Sequence, residues 1–380
     1  MVEKKIIGID IRNIGRKKTG SEVVVLELTK NILRIDKENQ YILLTDTDDE
    51  KIISYIKEVL ELNDKKNVKV VSINAGNKFT WAFWKLPMWV RKNHLDVYHT
   101  EYILPFFMPE KTKLITHIHD VSFRVYRKFI SWKDIIFLDI LIPWTIRKAD
   151  KIIAVSRFTK NEILKYYKVS SEKIDIVYNS TNLFKNDALS EEEVRNKFNL
   201  PEKFILYMGT LQPRKNVAKL IDAYAKIKDK IPGIKLIIAG DKNGYNFDKK
   251  IDKIIEENKL TDKEVRFVGF VDKNSKSKLY SLAYVLVSPS FYEGFGLTPL
   301  EAIESGAPVL VSDIPVHREI YKKSALFFDP NNLDEFKNKL YTICKDKKVR
   351  TGLIQRGFAR AGFFSWKKSA RKMLNIYKNI

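Results

Sequence analysis

Val285-Leu286-Val287-Ser288-Pro289-Ser290-Phe291-Tyr292-Glu293-Gly294-Phe295-Gly296-Leu297-Thr298-Pro299-Leu300-Glu301-Ala302 decides how this chain folds. A short apolar run suits a strand buried on both faces. Ser, Pro and two glycines then break it, and a helix is expected from about Leu297 or Thr298. Gly294 and Gly296 let the backbone approach an anion, and the N–H groups that open the helix point at it. Two glutamates separated by seven residues flank the turn, Glu293 within it and Glu301 a full turn into the helix. Gly-Phe-Gly alone is a weak signal. A dinucleotide fingerprint needs a third glycine where Pro299 stands, so the oxidoreductase reading fails.

The strand-turn-helix unit repeats outward from there. After position 200 come Phe204–Met208, Lys235–Ala239, Val265–Val268, Val285–Val287 and Pro308–Val311. Before it come Ile6–Ile9, Tyr41–Leu44, Val68–Val71, Leu114–His117 and Lys151–Val155. Apolar strands interleaved with helices predict α/β architecture with parallel sheets covered on both faces. At 380 residues the chain is long enough for two such sheets. The polar stretch 180–202 marks the seam. The boundaries expected are 1–182 for a first Rossmann-like domain, 183–202 for a linker and 203–365 for a second, with 366–380 returning to the first. Trp366, Ala370, Met373, Leu374 and Tyr377 form one face of that last helix at i, i+4, i+7, i+8 and i+11. Docking on its own protein and lying on a membrane are both open to it.

Ligands of open parallel sheets sit at the strands' carboxyl ends. In the second half, Gly209-Thr210-Leu211-Gln212-Pro213-Arg214-Lys215-Asn216 follows the first strand. Arg214 and Lys215 then share a sheet edge with Glu293, a planar fork and a point charge suited to a diphosphate. Asn216 is the expected N-cap of the helix carrying Val217, Leu220, Ile221, Tyr224 and Ile227. In the first half, His117-Ile118-His119-Asp120 ends a strand and brings His119 out at its end. Asp46-Thr47-Asp48-Asp49 reads as a solvated turn, and no convincing metal-ligand spacing occurs.

Composition limits the remaining classes. An apolar fraction of 44% excludes disorder. No stretch reaches the roughly 20 apolar residues that cross a bilayer, and the start does not read as a signal peptide. The single cysteine, Cys344, excludes a disulfide framework and fits a reducing cytoplasm. The formal net charge is +22, and residues 345–380 hold eleven Lys and Arg against one acid. Such a field attracts phosphorylated small molecules, anionic lipid or nucleic acid. No aromatic interleaving of the basic tail supports nucleic acid. Phe79-Thr80-Trp81-Ala82-Phe83-Trp84-Lys85-Leu86-Pro87-Met88-Trp89 suits either a membrane interface or a buried core.

These segments together resemble the retaining glycosyltransferases of family 4, the "group 1" glycosyltransferases, mannosyltransferase-like and with the GT-B fold. The resemblance runs through Gly8–Arg12 with Thr19-Gly20, His119–Phe123, Ile153–Lys160, Gly209–Asn216, Glu293–Glu301 and Ser312–Pro315. It implies two Rossmann-like domains facing each other across a cleft, with the last helix crossing back to the first. It also implies roles. Arg214 and Lys215 hold the donor diphosphate near Gly209, and the backbone of Gly294, Phe295, Gly296, Leu297 and Thr298 binds phosphate and sugar hydroxyls. Glu293 contacts the donor sugar and Glu301 the ribose, and the base stacks near Gly240 and Phe270. His119, Asp120 and Gly20 lie on the acceptor side.

The implied reaction moves a hexose from a nucleoside-diphosphate sugar to a glycan or lipid-linked acceptor, in surface polysaccharide synthesis. It needs no cofactor and no metal. The setting is the cytoplasm or the inner face of its membrane, with peripheral contact to anionic lipid and none to nucleic acid. A sugar-nucleotide epimerase of the same fold is the alternative, and a basic membrane- or nucleic-acid-binding protein is the alternative of another class. Three positions depart from the family pattern: Thr210 where relatives often carry arginine, Ser21-Glu22 after Thr19-Gly20, and Asn179-Ser180 in place of Asn-Gly.

Overall fold

The computed structural model describes residues 4–16, 20–127, 130, 132–181 and 189–380. Its chain forms two parallel sheets, which divide it into two units. The first unit comprises Met1–Arg124, Trp132–Asn179 and Ser365–Ile380, and the second Val125–Ser131 and Ser180–Phe364.

In the first unit seven strands run β1 (Ile6–Asp10), β2 (Gln40–Thr45), β3 (Val68–Ser72), β4 (Val97–Glu101), β5 (Lys113–Ile118), β6 (Lys151–Ala154) and β7 (Ile174–Ile176). Their spatial order is β3-β2-β1-β4-β5-β6-β7. The second unit holds β8 (Lys203–Met208), β9 (Ile234–Ala239), β10 (Val265–Phe267), β11 (Val285–Ser288), β12 (Val309–Ser312) and β13 (Leu326–Phe328), ordered β10-β9-β8-β11-β12-β13. Each sheet reverses direction of growth once, beside β1 and beside β8. Loops leaving the two strands at such a point diverge and open a crevice between them.

Three strands lie outside those expected: β4, β7 and β13. β4 is central, yet its sequence Val-Tyr-His-Thr-Glu is half polar. Its polar groups are buried because each finds a partner. Thr100 Oγ1 donates to Asp10 at 2.8 Å, and His99 Nδ1 lies 2.7 Å from the Tyr377 hydroxyl. Within the stretch expected as linker, Glu191–Phe198 is a helix with a capping box between Ser190 and Glu193. Residues 182–188, the rest of that seam, lie outside the described residues.

The last helix, Trp366–Asn379, packs on helix Gly20–Ile35 of the first unit. It buries Trp366, Ala370, Met373, Ile376 and Tyr377, and leaves Leu374 half-buried. Lys5 Nζ donates to the carbonyls of Tyr377, Lys378 and Ile380 at 2.8, 3.2 and 3.1 Å. A cation at a helix C-terminus satisfies orphan carbonyls and matches the dipole. Docking on its own protein is thus the use this amphipathic face is put to. Cys344 is buried in helix Leu333–Lys345. Among the described residues no helix is long and apolar enough to cross a membrane.

Three histidines, His99, His117 and His317, are buried. Burial favours their neutral rings: His99 and His317 are pulled down to about 4, and His117 well below its ordinary value. Between those values and the 6.5 of a free imidazole, the unfolded chain binds protons the folded chain refuses. Stability from each is present above 6.5 and falls with pH through that window, by about 1.4 kcal/mol per pH unit. Calorimetric melting should show a clear drop in Tm from pH 7.5 to pH 5; a flat profile would contradict the neutral burial.

Candidate functional site

In the second unit the loops after β8 and β11 leave the sheet where its order reverses, and the chain ties them together. Phe291 N–H donates to the Arg214 carbonyl at 2.9 Å. Asn216 takes the N-cap position of helix Val217–Ala225 as expected, but its side chain makes no capping bond to that helix. It sits in the left-handed region (φ 58°), and its amide donates to the carbonyls of Pro289 and Pro330 at 3.1 and 3.3 Å. The buried Pro289 carbonyl outweighs the helix's own N–H groups, because leaving it unpaired costs on the order of 1–3 kcal/mol, while the Pro330 carbonyl is shared with Lys219 Nζ at 2.8 Å.

The tether brings the expected cations onto the expected carboxylate. Lys215 Nζ lies 2.5 Å from Glu293 Oε1, and Arg214 Nη1 lies 3.6 Å from Oε2 while donating to the Tyr292 carbonyl at 3.1 Å. Ser290 Oγ adds a hydrogen bond of 2.7 Å to Glu293. Burial pushes the Glu293 carboxyl up, but the two cations and these hydrogen bonds outweigh it and bring it down to about 2. The site therefore contains a fixed carboxylate with two cations beside it, ahead of the helix Leu297–Glu304. Gly296 takes the N-cap position with φ 87°, and no side chain caps the helix there. A Cβ at Gly296 would run into the Tyr321 hydroxyl, which donates to the Gly296 carbonyl. Backbone conformation and close packing together require glycine. Gly294 and Phe295 are buried, and the Phe295 ring packs edge-on to Phe364 at 5.5 Å, so only its backbone can serve a ligand. Leu297 and Thr298 are half-buried at the helix start.

Glu301 lies within that helix, its carboxylate gripped by Lys276 Nζ at 2.7 Å and the Tyr280 hydroxyl at 2.9 Å. Burial and the neighbouring Glu301 charge raise the Tyr280 phenol well above its usual value, so it stays a hydrogen-bond donor. Gly240, past β9, lies so near the β8 loop that a Cβ there would stand 2.5 Å from the Gly209 carbonyl oxygen. Phe270 is exposed on the loop after β10.

Sequence reasoning missed His317, Lys276 and Tyr280. His317 Nδ1 sits 2.9 Å from the Ser312 carbonyl, which fixes the proton on Nδ1. Its Nε2 is buried without a partner among the described residues, close to Gly296. Its only signal in the sequence is its place just after Ser312-Asp313-Ile314-Pro315, a segment read as family pattern without the histidine.

In the first unit the corresponding edge gathers residues from three neighbouring strands. His119, one residue past β5, donates from Nε2 to Glu101 Oε1 at 2.5 Å, and Asn13, in the loop after β1, donates to the other Glu101 oxygen. In the neutral ring Nδ1 then carries the lone pair. His99, His117 and His119 stack in a row, with ring centres 5.9 and 5.0 Å apart. Asp120 accepts from Ser122 N–H at 2.9 Å and shapes the turn. Gly20 opens helix Gly20–Ile35, while Thr19 lies outside the described residues. Glu22 accepts the Gly15 N–H at 2.8 Å, giving the departure at Ser21-Glu22 a structural use. Glu101 was invisible because its strand was missed. Asp49 caps helix Glu50–Val59, as a solvated turn would.

The two parallel-sheet units have the GT-B fold of glycosyltransferases. A family model for glycosyl transferases group 1 matches residues 190–360, and one for Glycosyltransferase Family 4 matches residues 18–183. The chain belongs to this family. It is 26% identical over 295 residues to O-antigen chain mannosyltransferase B of Escherichia coli, covering 76% of each chain. With O-antigen chain mannosyltransferase RfbU of Salmonella typhimurium it shares 32% identity over 226 residues, 60% of this chain and 59% of RfbU. Among solved structures it resembles HepE of Anabaena in complex with UDP-glucose, with a TM-score of 0.75 and 16% identity over the whole of both chains.

Because Glu301 and Lys276 neutralise each other at a mostly buried position, Glu301→Gln leaves an ammonium unpaired. We expect a loss of about 2–3 kcal/mol in urea unfolding, partly recovered when Lys276→Met is added. Additive single and double variants would show that the pair is not coupled.

Proposed function

We propose that the enzyme moves a hexose, mannose in the first instance, from a nucleoside-diphosphate sugar to a hydroxyl of a glycan or lipid-linked acceptor, with retention at the anomeric carbon. The observation that carries this is the Arg214–Lys215–Glu293 cluster beside the uncapped start of helix Leu297–Glu304. In the reaction the bond between the anomeric carbon and the β-phosphate oxygen breaks, and its electron pair stays on the diphosphate. The acceptor oxygen bonds to the same carbon, and its proton passes to the departing phosphate. Charge therefore grows on the diphosphate, where Arg214, Lys215 and the helix N–H groups are already placed. In this scheme the two cations make a metal unnecessary. Glu293, held ionised, faces the developing positive charge of the sugar. Glu301 takes the ribose hydroxyls, with Tyr280 and Lys276 fixing its carboxylate.

In the first unit His119 takes the acceptor. The Glu101 carboxylate fixes its Nε2–H, leaving Nδ1 to accept from a hydroxyl. Mannose is put first because the relatives named above are mannosyltransferases, both of O-antigen chains. Surface polysaccharide synthesis fits the O-antigen chains in their names, and the cytoplasm is part of the proposal.

Titration calorimetry without added metal, over guanosine-, uridine- and adenosine-diphosphate sugars, tests the donor. One of them should bind at micromolar level, with GDP-mannose the first candidate. Arg214→Ala or Lys215→Ala should cost about 3 kcal/mol of transition-state stabilisation, roughly a hundredfold in transfer rate. If no sugar nucleotide binds the folded protein, the proposal fails. Retention is read from the one-bond C1–H1 coupling of the product, because the H1–H2 coupling of a mannoside is small in both anomers.

Glu101→Ala should leave donor binding unchanged while the transfer rate falls on the order of a hundredfold, the usual effect of misplacing a catalytic group. An unchanged rate would remove His119 and Glu101 from the acceptor side.

A further inference from the structure

We propose that Glu293 also decides which ligand the site keeps, favouring a nucleoside-diphosphate sugar over the bare nucleoside diphosphate that transfer leaves behind. This selectivity rests on the donor reading proposed above and extends it to release of the product. In the structure the carboxylate already holds the cations that an incoming diphosphate needs. Lys215 Nζ lies 2.5 Å from Glu293 Oε1, and Arg214 Nη1 lies 3.6 Å from Oε2. The Lys215, Arg214 and Glu293 side chains are 17%, 23% and 14% exposed, so water and salt screen their attraction little. A diphosphate that takes both cations leaves the Glu293 charge uncompensated beside it.

Ser290, Tyr207, Tyr321 and His317, which also surround the carboxylate, are neutral. Ser290 Oγ gives it one hydrogen bond of 2.7 Å. Tyr207 and Tyr321 are near enough to feel the Glu293 charge, but their protons are committed elsewhere. Tyr207 donates to the Thr210 carbonyl at 2.7 Å and Tyr321 to the Gly296 carbonyl. Burial keeps the His317 ring uncharged, and its Nδ1 proton goes to the Ser312 carbonyl at 2.9 Å. Against burial, the two cations hold the Glu293 carboxyl down at about 2, so it is an anion throughout the neutral range.

A hexose on the β-phosphate reverses the balance. Sugar hydroxyls donate hydrogen bonds, and an ionised carboxylate only accepts them. Such charge-assisted bonds are about twice as strong as neutral ones. The charge that the two cations give up is then met by the ligand itself. A bare nucleoside diphosphate brings more negative charge and no such donors, so it meets the carboxylate as a like charge, which costs affinity. Transfer turns the first situation into the second. The hydroxyls leave with the sugar, while the electron pair of the broken bond stays on the diphosphate. The carboxylate that steadies the donor thus expels the product, a discrimination made by repulsion rather than by an added contact.

Titration calorimetry of the full chain with GDP-mannose and GDP, and with the matching uridine and adenosine pairs, tests this on the wild type, Glu293→Gln and Glu293→Asp. Thermal melting of each variant checks that it is folded. Glu293→Gln keeps the shape of the side chain and removes its charge. It should bind the nucleoside diphosphate on the order of tenfold more tightly than the wild type does, and the sugar nucleotide no more tightly. Glu293→Asp keeps the charge and draws it back from the sugar. It should bind the nucleoside diphosphate as the wild type does and the sugar nucleotide more weakly. A damaged site would instead weaken both ligands in both variants. Equal tightening of the two ligands by Glu293→Gln, or no tightening of the nucleoside diphosphate, would overturn the proposal and leave the donor reading standing. So would a nucleoside diphosphate bound more tightly by Glu293→Asp. A folded wild type that binds none of the sugar nucleotides would overturn both.

Discussion

All the strands of a parallel sheet end on one edge, and where their order reverses two neighbouring loops must turn to opposite faces. Both candidate clusters of this chain hang on that constraint, applied twice. In the second unit the reversal lies between β9 and β11, around β8, and the loops of β8 and β11 supply Arg214, Lys215 and Glu293. In the first it lies between β2 and β4, around β1, and the ends of β1, β4 and β5 supply Asn13, Glu101 and His119. Neither set is near in sequence. Sheet order alone assembles them.

Assembly is then made rigid by hydrogen bonds that chemistry does not use. Asn216 gives its amide to carbonyls of two other loops, Phe291 N–H reaches the Arg214 carbonyl, and the Tyr321 hydroxyl holds the Gly296 carbonyl. These contacts fix the backbone, and the backbone fixes where two cations and a carboxylate meet. A site preorganised this way stabilises charge without reorganising during the reaction, which is where electrostatic catalysis gains most.

The sequence made some of this legible and hid the rest for physical reasons. Glu293, Gly296, Arg214 and Lys215 could be read because strand-turn-helix patterning puts them at strand ends, and strand ends are where ligands go. β4 could not, because patterning equates burial with apolarity, whereas Thr100 and His99 are buried through hydrogen bonds to Asp10 and Tyr377 from distant segments. Glu101 vanished with it, and so did the partner that orients His119. Asn216 was placed rightly at the N-cap, but its side chain bonds elsewhere for a related reason: side-chain capping is a local preference of about 1 kcal/mol, and tertiary carbonyls override it.

The charge surplus gives a last lesson about what a count can mean. The tail looked like an arm for binding anions, yet three of its arginines are spent on main-chain carbonyls. Arg350 donates to Ile343 and Cys344, Arg356 to Lys323, and Arg360 to Ile320 and Glu319. They close helix ends and turns. Exposed lysines elsewhere act through water and salt, and their influence fades beyond about 8–10 Å. Arg214 and Lys215 are different in kind: mostly buried, held by Tyr292 and Glu293, and aimed by their loops. In the proposed reaction a diphosphate meets there two cations whose desolvation and ordering have already been met by folding. On that proposal, recognition of the anion comes from two placed cations in a fixed frame, and the remaining surplus of positive charge raises the concentration of anions near the surface.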